Sequence, residues 1–184
     1  MKKSILILTL LFSNILFAQD GKKEPLIINL EGVVGLGGIY DADNKGGAIG
    51  VGAGVWLPFK EGFIDLGLDV ISSASRNSGE FQILFDYPFS LISDSLLEVK
   101  GYVGAGITIG RLFNKENYFW AGVEDYNKGG LIGNIGLEFK PLKANYAFYL
   151  DAKTGIVSVP GWAKNVTTPF KLSIGCRFLL DNSK

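Results

Sequence analysis

The chain has 184 residues, 18 basic and 18 acidic side chains, no histidine and one cysteine, Cys176. That length suits one domain, and the charge balance leaves no basic patch for nucleic acid. A single cysteine excludes an intrachain disulfide, and the missing imidazole removes the commonest general base and metal ligand.

Residues 1–18 form the first element. Lys2 and Lys3 precede the apolar run Ile5 to Phe12, and Leu16-Phe17-Ala18 stands before Gln19. This is the pattern of a secretory signal peptide cut after Ala18, which leaves residues 19–184 as the single mature domain with a net charge of −2. No later stretch is a helix-length apolar run, yet the mean hydropathy is +0.25. The apolar residues are instead distributed with a period of two, the spacing of strands.

Eight strands are expected in chain order. The first sets Ile28, Leu30, Val34 and Leu36 against Asn29, Glu31, Gly35 and Gly37. The second, around GAIGVGAGVWLPF (residues 47–59), sets Ile49, Val51, Ala53, Val55 and Leu57 against Ala48, Gly50, Gly52, Gly54 and Trp56. The third has Ile64, Leu66, Leu68 and Val70 opposite Asp65, Gly67 and Asp69. The fourth has Phe81, Ile83, Phe85, Tyr87 and Phe89 opposite Gln82, Leu84 and Asp86. In the fifth, Leu97, Val99, Val103, Ala105, Ile107 and Ile109 oppose Glu98, Lys100, Tyr102, Gly104 and Gly106. The sixth opposes Leu131, Ile135, Leu137 and Phe139 to Asn134, Gly136, Glu138 and Lys140. The seventh opposes Tyr146, Phe148, Leu150 and Ile156 to Tyr149, Asp151 and Lys153. The eighth opposes Phe170, Leu172, Ile174, Cys176 and Phe178 to Lys171, Ser173, Gly175 and Arg177.

One face of every strand is free of charge, and the other mixes glycine, charge, amide and tyrosine. Lipid on the first face and a narrow, side-chain-filled lumen on the second satisfy both. Connectors at 60–62, 91–95 and 141–144 are short, whereas 71–79, 112–128 and 157–168 are long, and 41–46 is intermediate. Short turns on the side of both termini and long loops on the other fit insertion from the periplasm.

These alternating strands, the signal and the connector asymmetry resemble the small eight-stranded outer-membrane barrels of the OmpA/OmpX type, over roughly residues 26–180. The resemblance implies an all-β, antiparallel, up-and-down transmembrane barrel in the cell outer membrane with periplasmic termini. It implies outer-membrane lipid and the barrel-assembly machinery as partners, and a possible protein partner through the extracellular loops. Such barrels often end on an aromatic residue; here Phe178 is followed by Leu179 to Lys184.

The polar residues divide into a lumen set and a loop set. Glu31, Asp65, Asp69, Asp86, Glu98, Lys100, Glu138, Lys140, Asp151, Lys153, Lys171 and Arg177 are expected to form an ion-paired plug, because an unpaired buried charge is expensive. Within it, closure brings Glu31 and Arg177 together, Lys100 meets Glu138, Asp151, Lys153 and Lys171 form an upper group, and Asp65, Asp86, Glu98 and Lys140 complete the lower one. Loop 112–128 carries Phe113, Tyr118, Phe119, Trp120 and Tyr126. It is a candidate recognition surface, or an upward extension of the two flanking strands with aromatics at the membrane interface.

Other motifs carry less. The glycine clusters at 35–38 and 50–54 lack the GxGxxG spacing and open no helix, so they serve lumen packing. DADNKG, residues 41–46, lacks the distal glutamate of a calcium loop and reads as a turn. Asp94-Ser95-Leu96 resembles a short O-glycosylation acceptor and reads as a turn as well. Paired lumen carboxylates could in principle do acid–base chemistry, but ion pairing explains them more simply. The expected function is therefore non-enzymatic and without cofactor or metal: envelope structure, surface interaction, or an accessory subunit of an outer-membrane complex. A narrow pore for ions or small solutes is the alternative. A soluble exported lipid-binding barrel fails because the glycine-rich face would make a poor water-facing surface.

Overall fold

A computed structural model of the chain describes residues 26–36, 47–74, 76–114, 126–160 and 166–180. Its strands are β1 (Leu26–Leu36), β2 (Ala48–Phe59), β3 (Gly62–Ser72), β4 (Arg76–Ser93), β5 (Leu97–Asn114), β6 (Tyr126–Pro141), β7 (Tyr146–Ser158), the two-residue β8 (Val166–Thr167) and β9 (Phe170–Leu180). Each long strand pairs antiparallel with the next, β9 pairs with both β7 and β1, and β6–β7 pairing completes the ring. Eight long strands thus close without an edge, which satisfies backbone groups that lipid could not. The short β8 continues β9 upward beside β7; Pro169, which has no N–H to donate, stands between β8 and β9.

The period-two alternation becomes an inside and an outside. Ile49, Leu131 and Ile174 are 71%, 67% and 69% exposed, and Leu30, Val70, Ile109, Ile135 and Phe148 stand on the same outer face. Tyr102, Asp86, Gln82 and Arg177 are buried on the inner one. An apolar belt around a polar interior is the inverse of a soluble barrel and is the arrangement of a membrane-spanning one. No helix among the described residues is long and apolar enough to cross a membrane; the strands do the crossing.

The ends of the barrel differ. One rim holds the Lys60–Glu61 turn, the 94–96 and 142–145 turns, the start of β1 and the end of β9. We call it the terminal rim. Lys60 adopts φ 56° to make its two-residue turn, and the Asp94 carboxylate accepts the Ser95 N–H at 2.5 Å in an exposed turn. The other rim, the loop rim, carries the connections between β1 and β2, β3 and β4, β5 and β6, and β7 and β9.

Here the structure corrects one expectation. Residues 71–79 are not a long loop: β3 runs to Ser72 and β4 begins at Arg76. The Ser73 N–H donates to the Arg76 carbonyl at 2.8 Å, and the Arg76 N–H donates to the Ser73 hydroxyl at 3.0 Å. The same extension affects the next hairpin, because β5 continues to Asn114 and β6 starts at Tyr126. An 18-residue strand such as β4 or β5 is about 60 Å long at the usual rise. That exceeds the roughly 30 Å hydrocarbon core even when tilted, so these strands reach beyond it, and Arg76 pairs with Asn114, which sets the β3–β4 turn level with the end of β5.

Glycine makes the inside fit. A side chain at Gly136 would run into the Tyr102 ring, and one at Gly175 into the Tyr149 ring. Bare backbone therefore lies beside each large aromatic on the neighbouring strand. Gly136→Val should cost about 1–3 kcal/mol through overpacking, read from urea unfolding in micelles. A loss below about 0.5 kcal/mol would mean the Tyr102 ring is free to move aside.

Candidate functional site

The interior of the barrel is layered. Near the loop rim, Val33, Ala48, Ile71, Leu112, Val157 and Val159 form part of a buried apolar cluster, with Tyr126 packed against it. Below it lies the first ionic layer. Lys171 on β9 reaches Asp69 on β3 at 2.7 Å and Glu80 on β4 at 2.9 Å. Three strands separate β9 from β4 in either direction round the ring, so this bridge crosses the full diameter. Lys128 on β6 closes on the same Glu80 and donates to the Ser78 hydroxyl at 2.6 Å, and the Gln82 amide donates to Asp69.

The middle layer is built around Lys153, whose ammonium lies 3.5 Å from Glu31 and 3.4 Å from Asp151. The Tyr149 hydroxyl donates to the second Glu31 oxygen at 2.8 Å. Asp65 and Asp86 are buried alongside, but neither makes an ion pair among the described residues and both Asp86 oxygens lack a hydrogen-bond partner there, so the expected lower group does not form: Glu98 pairs with Lys100 instead. The free space left among Asn29, Asp65, Asp151 and Lys153 is about 10 Å³, room for about one water.

The lowest layer is Arg177. Its guanidinium lies 3.4 Å from the Trp56 ring centre, 4.5 Å from Tyr102 and 4.3 Å from Tyr149, and donates to Glu138 at 2.7 Å. Three aromatic faces and one carboxylate compensate a cation held away from water.

Several expected pairings change partner. Glu31 and Arg177 do not pair: in the β1–β9 register Asn29 faces Arg177 and Glu31 faces Gly175. The two side chains then diverge, Arg177 toward the aromatic layer and Glu31 toward Lys153. Lys100 and Glu138 do sit opposite each other between β5 and β6, but Arg177 takes Glu138 and Lys100 pairs with Glu98 at 3.2 Å. Lys153 and Lys171 face each other directly between β7 and β9. Their repulsion is relieved by turning apart, Lys153 to Glu31 and Asp151, Lys171 across the lumen, so Lys171 does not join Asp151 in an upper group. Lys140 lies opposite Glu98 in register.

Two ionic members were missed. Glu80 and Lys128 fell inside or beside segments read as loops, although Ser78-Gly79-Glu80-Phe81-Gln82 already alternates polar and apolar. Of the proposed recognition residues, Phe113 is exposed on the outer face of β5 and Tyr126 opens β6 half-buried against the apolar cluster. Both are strand extensions. Tyr118, Phe119 and Trp120 lie outside the described residues, as do the signal segment 1–18 and the turn 41–46. Cys176 is on the lipid side, partly covered.

Neisserial surface protein A matches this structure with a TM-score of 0.59 and 15% sequence identity, over 88% of this chain and 100% of that one. The fold is that of the small eight-stranded outer-membrane barrels. At lower structural similarity, the outer-membrane barrel here also matches Ail, the attachment invasion locus protein of Yersinia pestis (TM-score 0.46, 12% identity, 84% of this chain and 97% of that). Outer membrane protein AlkL matches with a TM-score of 0.45 and 14% identity, over 91% of this chain and 96% of that. No family model and no curated protein sequence matches the chain.

Proposed function

We propose that this chain is a non-enzymatic, non-conducting outer-membrane barrel that acts through what it presents at its loop rim, in envelope structure or surface interaction. The observation that carries this reading is the Lys171 bridge to Asp69 and Glu80 across the barrel diameter. Buried charges compensated in this way leave no polar path for a hydrated ion, and opening one would uncover carboxylates at the cost of their partner. A chain without histidine also lacks the base that serine-dependent barrel enzymes would need. With the lumen closed, the loop rim and the strand ends that reach it are the parts left to meet a partner protein.

This role requires the loop rim to face outward and the terminal rim to face the periplasm. In a Cys176→Ser background, Ala74→Cys in the exposed β3–β4 turn should react with a membrane-impermeant maleimide on intact cells. Lys143→Cys in the β6–β7 turn should react only after lysis. The reverse pattern would put the loop rim inside and remove the surface role.

A further inference from the structure

Below the Arg177 layer the barrel does not close flush. A cavity of about 300 Å³ opens at the terminal rim, walled by Trp56, Phe63 and Tyr102 and edged by Lys100, Lys140 and Arg177. Trp56 and Phe63 are stacked with ring centres 5.0 Å apart, and Tyr102 meets Trp56 edge-on at 5.2 Å. This size lies at the lower end of small-molecule sites, and an apolar wall with a few polar groups is their usual make-up.

The charges at the cavity set the sign of its occupant. Three cations line it against one carboxylate, Glu138, and that carboxylate is committed to Arg177 at 2.7 Å. Lys100 is held by Glu98 at 3.2 Å. Lys140 stands opposite Glu98 in the β5–β6 register but makes no ion pair among the described residues. An aromatic-walled pocket with an uncommitted ammonium at its lip suits a flat apolar group carrying one negative charge.

We propose that this mouth binds a small aromatic carboxylate, with its ring against the Trp56–Phe63 wall and its carboxylate on Lys140 and Lys100. The carboxylate would gain charge-assisted hydrogen bonds from one or both ammonium groups. The plug above it makes the site a dead end, so the ligand enters and leaves by the terminal rim. The inference rests on the cavity and not on the loop-rim role: failure of either leaves the other standing.

Benzoate is the probe, titrated by calorimetry into the whole purified barrel in nonionic micelles, with protein-free micelles subtracted. Saturable binding is expected, weakened about tenfold or more in Lys100→Gln/Lys140→Gln and about tenfold weaker for uncharged benzamide, the scale of a lost charged hydrogen bond. Lys143→Gln, a rim lysine outside the cavity, should leave the affinity unchanged. These are rim positions, and a retained heat-shifted gel band checks that each variant is folded. Non-saturating uptake, equal affinity for benzamide, or an equal loss in Lys143→Gln would each overturn the proposal.

Discussion

Replacing Lys171 by methionine should destabilise the folded barrel by about 3–5 kcal/mol, the cost of removing one partner from a buried ionic group. The methionine fills much of the same volume, so the loss reports charge rather than space. It leaves Asp69 with the Gln82 amide and no direct ion pair among the described residues, while Glu80 is still held by Lys128. Neutralising the stranded acids in the same chain, as Lys171→Met/Asp69→Asn/Glu80→Gln, should recover a large part of the loss, because the desolvation of two carboxylates disappears with their charge. Urea unfolding in micelles measures both. A single-variant loss below about 1 kcal/mol, the range of exposed pairs, would mean that water reaches Asp69 and Glu80 and that the layer is no plug.

An arginine at Ile107 should cost about 2–4 kcal/mol, the penalty for a cation on the lipid face near mid-membrane. Ile107 stands on the outer face of β5 between Ile83 and Leu131 in the two neighbouring strands, and it is 47% exposed. In a soluble barrel the same substitution at so exposed a position would be nearly neutral, so the experiment separates a lipid-facing belt from a water-facing one. Ile107→Leu should change little. Lipid-reconstituted unfolding is the readout, and an arginine tolerated as well as leucine would place this face in water.

The faces of the strands were legible residue by residue because the alternation is strict: Leu30, Leu68 and Ile174 point out, Asp69, Asp86 and Lys171 point in, as the period of two requires. Strand ends were less legible. Arg76 to Gly79 and Leu112 to Asn114 are polar or mixed and read as loop, yet the closing ring supplies each with a paired neighbour, Asn77 with Phe113 and Ser78 with Leu112. Lengthening the strands then put Glu80 and Lys128 inside the barrel.

Ion-pair identity was the least legible feature. Register sets which backbones face each other, but a lysine or arginine side chain reaches across two or more strands. Lys171 therefore chose Asp69 and Glu80 over its own neighbours, and Arg177 chose Glu138 and three aromatic rings over Glu31. Nothing in linear spacing encodes the lumen diameter that makes those reaches possible. The aromatic cage had a partial signal in Trp56, Tyr102 and Tyr149 on the glycine-rich face, where only lumen packing explains so large a ring beside so many bare positions.

If buried ion pairs close the lumen, the barrel should carry no current in a planar bilayer. With the purified barrel shown to be inserted and folded, the expected result is a silent bilayer at high potassium chloride, without discrete current steps. Steady single-channel steps whose size scales with salt would contradict it and make the barrel a narrow pore.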